Sequence, residues 1–110
     1  MDKILIVDDE PDVEVLMKQR FRRQIREKQF SLYFAHNGIE ALNVLSTEKD
    51  IRLLISDINM PEMDGLTLLK NIGEKFPEVI PIIVSAYGDM NNIRQAMNLG
   101  AFDFVTKPIN

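Results

Sequence analysis

The sequence predicts an α/β fold, a doubly wound parallel sheet of five strands with helices on both faces, on three observations. Five short apolar runs alternate with four segments of helical spacing. The first run is continuous and β-branched, as burial on both faces demands. Polar residues close four of the five runs, at the sheet edge where open α/β folds bind their ligands.

Each element has its own justification. Ile4–Val7 is the first strand. Pro11 stands where a first helical turn tolerates it, and Glu10 and Asp12 favour the positive end of that helix. Val13, Leu16, Met17, Phe21 and Ile25 then recur at helical spacing, predicting one helix that runs to Ile25. Phe30–Ala35 is the second strand, with Leu32 and Phe34 alternating with Ser31, Tyr33 and Ala35. Asn37-Gly38 turns the chain into a short helix carried by Ile39, Leu42 and Leu45 and ending near Thr47. Ile51–Ser56 is the third strand, and Asp64-Gly65 opens a helix carried by Leu66, Leu69 and Ile72 and stopped by Pro77. Val79–Val84 is the fourth strand, with Pro81 near its start, where a missing N–H does least harm. A polar helix from Asp89 to Leu99 follows, with Gly100 placed to cap it. Phe102–Val105 is the fifth strand, ahead of Lys107-Pro108.

Composition bounds the function. The 110 residues suit one domain, and 45% apolar with 27% charged is ordinary globular usage. The lack of Cys removes disulfides, thiolate zinc sites and thiol catalysis, and the lone His36 removes multi-histidine metal sites. A net charge of −4 argues against direct nucleic-acid binding. No apolar run approaches the length of a membrane span, and Asp8, Asp9 and Glu10 interrupt the N-terminal apolar stretch too early for a signal peptide. The expectation is a cytoplasmic domain with no membrane contact.

Right-handed crossovers place the strand ends on one edge of the sheet. Asp8 and Asp9 follow the first run, Asp57 the third, Ser85 the fourth, and Thr106 and Lys107 the fifth. The second contributes only His36 and Asn37. Any one of these alone is ordinary, because Asp caps helices and opens turns. Their convergence is not explained by capping, which has no use for Lys107. Clustered carboxylates repel unless a cation joins them, and an oxygen-only donor set selects a hard ion such as Mg²⁺. With an ammonium and a hydroxyl opposite, this is equipment for phosphoryl transfer, or for an aspartyl-phosphate intermediate on one of the carboxylates. Asp57 is the best placed, at the end of what should be the central strand.

Four stretches carry a resemblance: Ile4-Leu-Ile-Val-Asp-Asp-Glu-Pro11, Ile55-Ser-Asp-Ile-Asn-Met-Pro-Glu-Met-Asp-Gly65, Ile82-Ile-Val-Ser-Ala86 and Phe102-Asp-Phe-Val-Thr-Lys-Pro108. The chain resembles the response-regulator receiver domain of bacterial two-component signalling, over its whole length and in order. The resemblance implies a flavodoxin-like sheet in the order 2-1-3-4-5. It implies that Asp57 accepts a phosphoryl group from a sensor histidine kinase or a histidine phosphotransfer protein. Asp8 and Asp9 match the acidic pair that holds Mg²⁺ (Mn²⁺ being an acceptable substitute), Asp9 directly and Asp8 through water. Asp57 and the backbone carbonyl of Asn59 complete the metal's protein ligands. Ser85 matches the switch hydroxyl, Lys107 the lysine that pairs with the phosphoryl group, and Phe104 the aromatic switch position. The peptide before Pro108 is commonly cis in this family, and Asn59 and Tyr87 tune phosphoryl lifetime. Such a domain is a signalling switch and not a turnover enzyme.

One departure is evident. Receivers carry a further helix after the Lys-Pro turn, and residues 1–110 stop short of it. The expectation is a receiver fragment of a longer regulator with a C-terminal output domain, exposing an apolar patch beside the first helix that invites self-association. The basic run Lys18, Arg22 and Arg26, flanked by Arg20 and Arg23, reads first as a solvated helix face. By the resemblance, the same helix docks the kinase. Two rivals stand beside the receiver. A haloacid-dehalogenase-like phosphatase would want a second Asp where Asn59 stands. A degenerate receiver serving only as an interaction module would have no need of the complete Asp8, Asp9, Asp57, Ser85 and Lys107 set.

Overall fold

A computed structural model describes residues 2–60, 63–86 and 88–107. Strands β1 (Asp2–Val7), β2 (Phe30–Ala35), β3 (Ile51–Asp57), β4 (Ile80–Ala86) and β5 (Asp103–Lys107) form one sheet. Its order is β2-β1-β3-β4-β5, with every neighbouring pair parallel. The winding reverses between β1 and β3, so the carboxyl ends of these two strands flank the crevice where such sheets bind ligands. The helices are α1 (Pro11–Arg20), α2 (Arg22–Arg26), α3 (Gly38–Thr47), α4 (Gly65–Lys75) and α5 (Met90–Asn98).

One face of the sheet is thoroughly packed. Leu5 and Val7 of β1 and Leu54 of β3 meet Ala41 and Leu45 of α3 and Leu68 and Ile72 of α4, all buried. Ile83 of β4 continues this layer with Leu69 of α4 and Ala96 of α5. Fully burying an aliphatic side chain contributes about 1.5–3 kcal/mol, so this layer anchors the strands that carry the polar edge. On the other face no residue of α1 or α2 is buried.

The first helix lies along that open face. Leu16 of α1 is 61% exposed there. The helix also bends at Phe21 (φ −106°, ψ 20°), so that α1 and α2 replace a single element. The Phe21 ring meets Phe30 edge-on at 5.6 Å, which fixes the bend against the first residue of β2. Hydrogen bonds from Phe21 N–H to the Met17 carbonyl and from Ile25 N–H to the Phe21 carbonyl still cross it. Several strand boundaries also shift, most consequentially in the last two strands. β4 runs on through Ser85 and Ala86, while β5 starts at Asp103 and leaves Phe102 outside, 69% exposed. Phe102 is held there by its N–H, which donates to the Pro81 carbonyl at 2.8 Å. Gly100, at φ +105°, stands just past α5 in the left-handed conformation expected of its cap.

Candidate functional site

Asp57 closes the central strand and is only 7% exposed. Its surroundings are fixed by backbone on both sides. Ile58 N–H donates to the Val84 carbonyl at 3.2 Å, carrying the β3–β4 ladder past Asp57. Gly65 N–H donates to the Ile58 carbonyl at 2.7 Å. A Cβ on Gly65 would lie 2.5 Å from the Asp57 carbonyl oxygen and 2.7 Å from Ile58 Cα, so only glycine lets the start of α4 press this closely on the strand end. Asp64 secures the same turn by capping α4, its Oδ1 accepting from Thr67 N–H at 2.8 Å.

Lys107, the last residue of β5, reaches across β4 and donates from Nζ to Asp57 Oδ2 at 2.9 Å. This hydrogen bond raises the Lys107 pKa above its ordinary value, against a smaller opposing effect of burial. On the other carboxylate oxygen, Asn59 N–H donates to Asp57 Oδ1 at 3.4 Å.

Asp8 and Asp9 arrive from β1. Asp8 N–H extends the ladder to the Ala35 carbonyl at 3.0 Å, and Asp8 Oδ1 accepts from Glu10 N–H at 2.9 Å, which turns the chain into α1. Asp8, Asp9 and Asp57 each offer a carboxylate oxygen, all within 4.8 Å of one another. Burial is the main cause that raises the Asp8 pKa; the Glu10 N–H opposes it, and repulsion from Asp57 and Asp9 adds to it. Three clustered carboxylates, with no sulfur or imidazole among them, form a donor set that fits a hard divalent cation such as Mg²⁺.

The remaining predicted residues are less assembled. Ser85 lies buried near the end of β4, and its hydroxyl donates to Asp89 Oδ2 at 3.3 Å, not to Asp57 or Lys107. Phe104 lies opposite Ile83 in the β4–β5 register and is 38% exposed. Tyr87 and the peptide before Pro108 lie outside the described residues. The basic run is exposed, with Lys18 paired to Glu14 and Arg23 to Glu27, each at 3.3 Å. Sequence reasoning treated Gly65 as a helix opening and Asp89 as a helix start, and it missed Asn92. Gly65 could have been found, since a glycine opening the helix just after a polar strand end is a place where backbone approaches backbone. No local pattern distinguishes Asp89 or Asn92 from surface polar residues.

A receiver is the class that this sheet order and edge define. The response regulator receiver domain matches residues 4–110, and the chain belongs to that family. Receivers are the phosphorylation-dependent switches of two-component systems, modified on an aspartate, and are signalling modules rather than turnover enzymes. Particular relatives follow. The chain is 35% identical over 108 residues to the response regulator protein PilR of Pseudomonas aeruginosa, a match covering 98% of this chain and 23% of that protein. It is 31% identical over 109 residues to sporulation initiation phosphotransferase F of Bacillus subtilis, covering 99% of this chain and 84% of that one. The chain thus spans about a quarter of the length of PilR and similar regulators, such as the DNA-binding transcriptional regulator NtrC of Proteus hauseri, at 22%.

Among solved structures, a CheY-like receiver domain from Methanospirillum hungatei superimposes with a TM-score of 0.87 at 28% identity, covering 100% of this chain and 84% of that one. The response regulator TrrA of Thermotoga maritima, solved in complex with Mg²⁺ and BeF, matches with a TM-score of 0.80 at 31% identity, covering 100% and 90%. No helix among the described residues is long and apolar enough to cross a membrane.

Proposed function

We propose that this chain receives a phosphoryl group on Asp57 from the phosphohistidine of a sensor kinase or phosphotransfer protein, and passes the change through Ser85 and Phe104 to an output. The observation that carries this is the buried Asp57 carboxylate, bonded to Lys107 at 2.9 Å inside a cluster of three carboxylates. A carboxylate oxygen of Asp57 forms a bond to phosphorus while the bond from phosphorus to the donor nitrogen breaks, and the imidazole keeps that electron pair. Asp8, Asp9, Asp57 and the Asn59 carbonyl are the residues that would hold Mg²⁺, or Mn²⁺ in its place. When bound, the ion offsets charge on the phosphoryl oxygens. Lys107, already aimed at Asp57, pairs with the oxygens that arrive. The modification adds about −1.5 to −2 units of charge at a site built to hold it.

The same reading makes residues 1–110 the receiver part of a longer cytoplasmic regulator, with an output domain C-terminal to it. The small share of PilR and NtrC that the chain spans supports this. Val15, Leu16 and Val105, between 41% and 61% exposed, supply apolar surface through which copies of the chain could associate. The basic face of α1 and α2 is the surface offered to the kinase. A phosphatase of the haloacid-dehalogenase type is disfavoured by Asn59, which has no proton to give as a general acid.

The test is intact mass after incubation with acetyl phosphate. With Mg²⁺ the wild type should gain one phosphoryl group, and neither metal-free protein nor Asp57→Asn should gain any. Undiminished labelling of Asp57→Asn overturns the assignment. No labelling of a folded wild type with Mg²⁺ favours the interaction-module reading instead.

A further inference from the structure

Asp89 departs from the usual behaviour of a helix N-cap. It precedes α5 with φ −81° and ψ 58°, outside the extended region typical of the position, and its carboxylate caps no backbone N–H. The Asn37 and Asp64 side chains, at the corresponding position of α3 and α4, both cap. The Asp89 carboxylate is engaged elsewhere. Its Oδ2 accepts from the Ser85 hydroxyl at 3.3 Å, and Asn92 Nδ2 donates to Oδ1 at 3.1 Å and to Oδ2 at 2.9 Å. α5 thus forgoes a cap so that Asp89, steadied by Asn92 one turn along, can hold Ser85.

We infer that Asp89 and Asn92 are positioning residues that hold the Ser85 hydroxyl toward α5 and away from Asp57, and so set the threshold for the switch. The inference rests on the proposed role of Ser85 at a phosphorylated Asp57. Its physical basis is the geometry of the bond. A hydroxyl donating to a carboxylate ordinarily sits about 2.5–2.7 Å away, so 3.3 Å is a stretched contact that is easily given up. Phosphoryl oxygens on Asp57 would offer the hydroxyl a stronger acceptor. Ser85 is 1% exposed, so water does not compete for it, and its choice lies between the two carboxylate sites. Release removes one side-chain tie between the start of α5 and β4, while the Asp89 N–H to Ala86 carbonyl bond at 3.2 Å remains, which makes Asp89 the point where a change at Asp57 reaches that helix. A restraint on the resting position lowers the share of molecules competent for the activated one, and apparent affinity for an activating group falls in proportion.

Two measurements test this, on wild type, Asp89→Ala, Asp89→Asn and Asn92→Ala. The first uses the metal-free protein and reads the Ser85 χ1 rotamer from NMR scalar couplings. Wild type should show one rotamer and Asp89→Ala an average of several. Asn92→Ala should fall between them, and Asp89→Asn, which keeps an acceptor oxygen, should stay near wild type. An unchanged Ser85 rotamer in both Asp89→Ala and Asn92→Ala overturns the inference. The second measures the Kd for beryllofluoride with Mg²⁺. Losing one hydrogen bond should tighten binding by Asp89→Ala about fivefold. Unchanged or weaker binding by a folded Asp89→Ala, while wild type binds, overturns the threshold role. A wild type that binds no beryllofluoride, with a Ser85 rotamer that still responds to Asp89→Ala, counts against the phosphoacceptor reading and leaves the positioning of Ser85 standing.

Discussion

The two halves of the polar edge differ in readiness. At the ends of β1, β3 and β5 the charged groups are already in place. Asp57 and Lys107 are bonded at 2.9 Å, and Asp8 and Asp9 crowd the same space. At the end of β4 the hydroxyl is turned elsewhere, with Ser85 held by Asp89. On the proposed function, the charged half already gathers the groups that would meet a cation and a phosphoryl group, so it suits chemistry. The hydroxyl half would break one contact to make another, and that is what a two-state switch requires. Placing reactivity on strand ends locked by the core, and the moving part where a loop meets an exposed helix, lets one small sheet do both.

The difference breaks most completely at Gly65. Alanine there drives a methyl group into the Asp57 carbonyl and Ile58 Cα, and backbone cannot give way as a flexible side chain does. Overpacking of this kind costs about 1–3 kcal/mol, less the small gain of alanine over glycine within a helix. We expect Gly65→Ala to lose about 2 kcal/mol by urea titration and to slow acetyl-phosphate labelling at least tenfold, because Asp57 shifts with its backbone. Gly73 lies in the same helix with nothing near its Cβ, and Gly73→Ala should be neutral or slightly stabilising. Equal behaviour of the two variants would mean that α4 does not lock the charged half.

The legibility of the sequence follows the same division. The convergence of Asp8, Asp9, Asp57 and Lys107 was readable because each residue directly follows or ends an apolar run and parallel topology does the rest, whereas the strand order came from the family resemblance. Lys107 and Asp57 are 50 residues apart, yet the alternation alone brings them to one edge. The engagement of Ser85 by Asp89 was not readable, because both residues have equally good local alternatives, a strand-end hydroxyl and a helix cap. The exposure of Leu16 could not be read from its spacing, because helical spacing shows which residues share a face, not whether that face is covered.

A smaller effect sharpens the account of the charged half. Asp8 has a raised pKa, chiefly from burial and also from Asp57 and Asp9, so ionised Asp8 destabilises the metal-free fold. Asp8→Asn should therefore stabilise metal-free protein by about 1 kcal/mol near neutral pH. A folded-state pKa above 3.8 means that the native state takes up its proton first as pH falls. The penalty is present above the raised pKa and fades as pH drops through it, and the advantage of the variant should shrink over that window. Mg²⁺ should reverse the ranking, stabilising wild type by about 2.7 kcal/mol at a hundredfold excess over Kd and the variant by less. An Asp8→Asn protein less stable than wild type without metal would contradict the repulsion argument.

The smallest effect concerns the bond between Lys107 and Asp57. Its folded-state pKa is raised above 10.5, first by the hydrogen bond to Asp57. The stabilisation is fully present below 10.5 and is lost as pH rises through the folded value. The Lys107 side chain is 41% exposed, so water screens the pair, and a few tenths of a kcal/mol up to about 1 is the expected size. Other lysines titrate in the same range, and Lys107→Arg separates them, since arginine keeps its charge to well above pH ~12. The stability difference between wild type and Lys107→Arg should be flat up to about pH 10 and then move against wild type. A difference that stays constant through the alkaline range would mean that the ammonium contributes nothing to the fold, and that Lys107 is held in place by β5 alone.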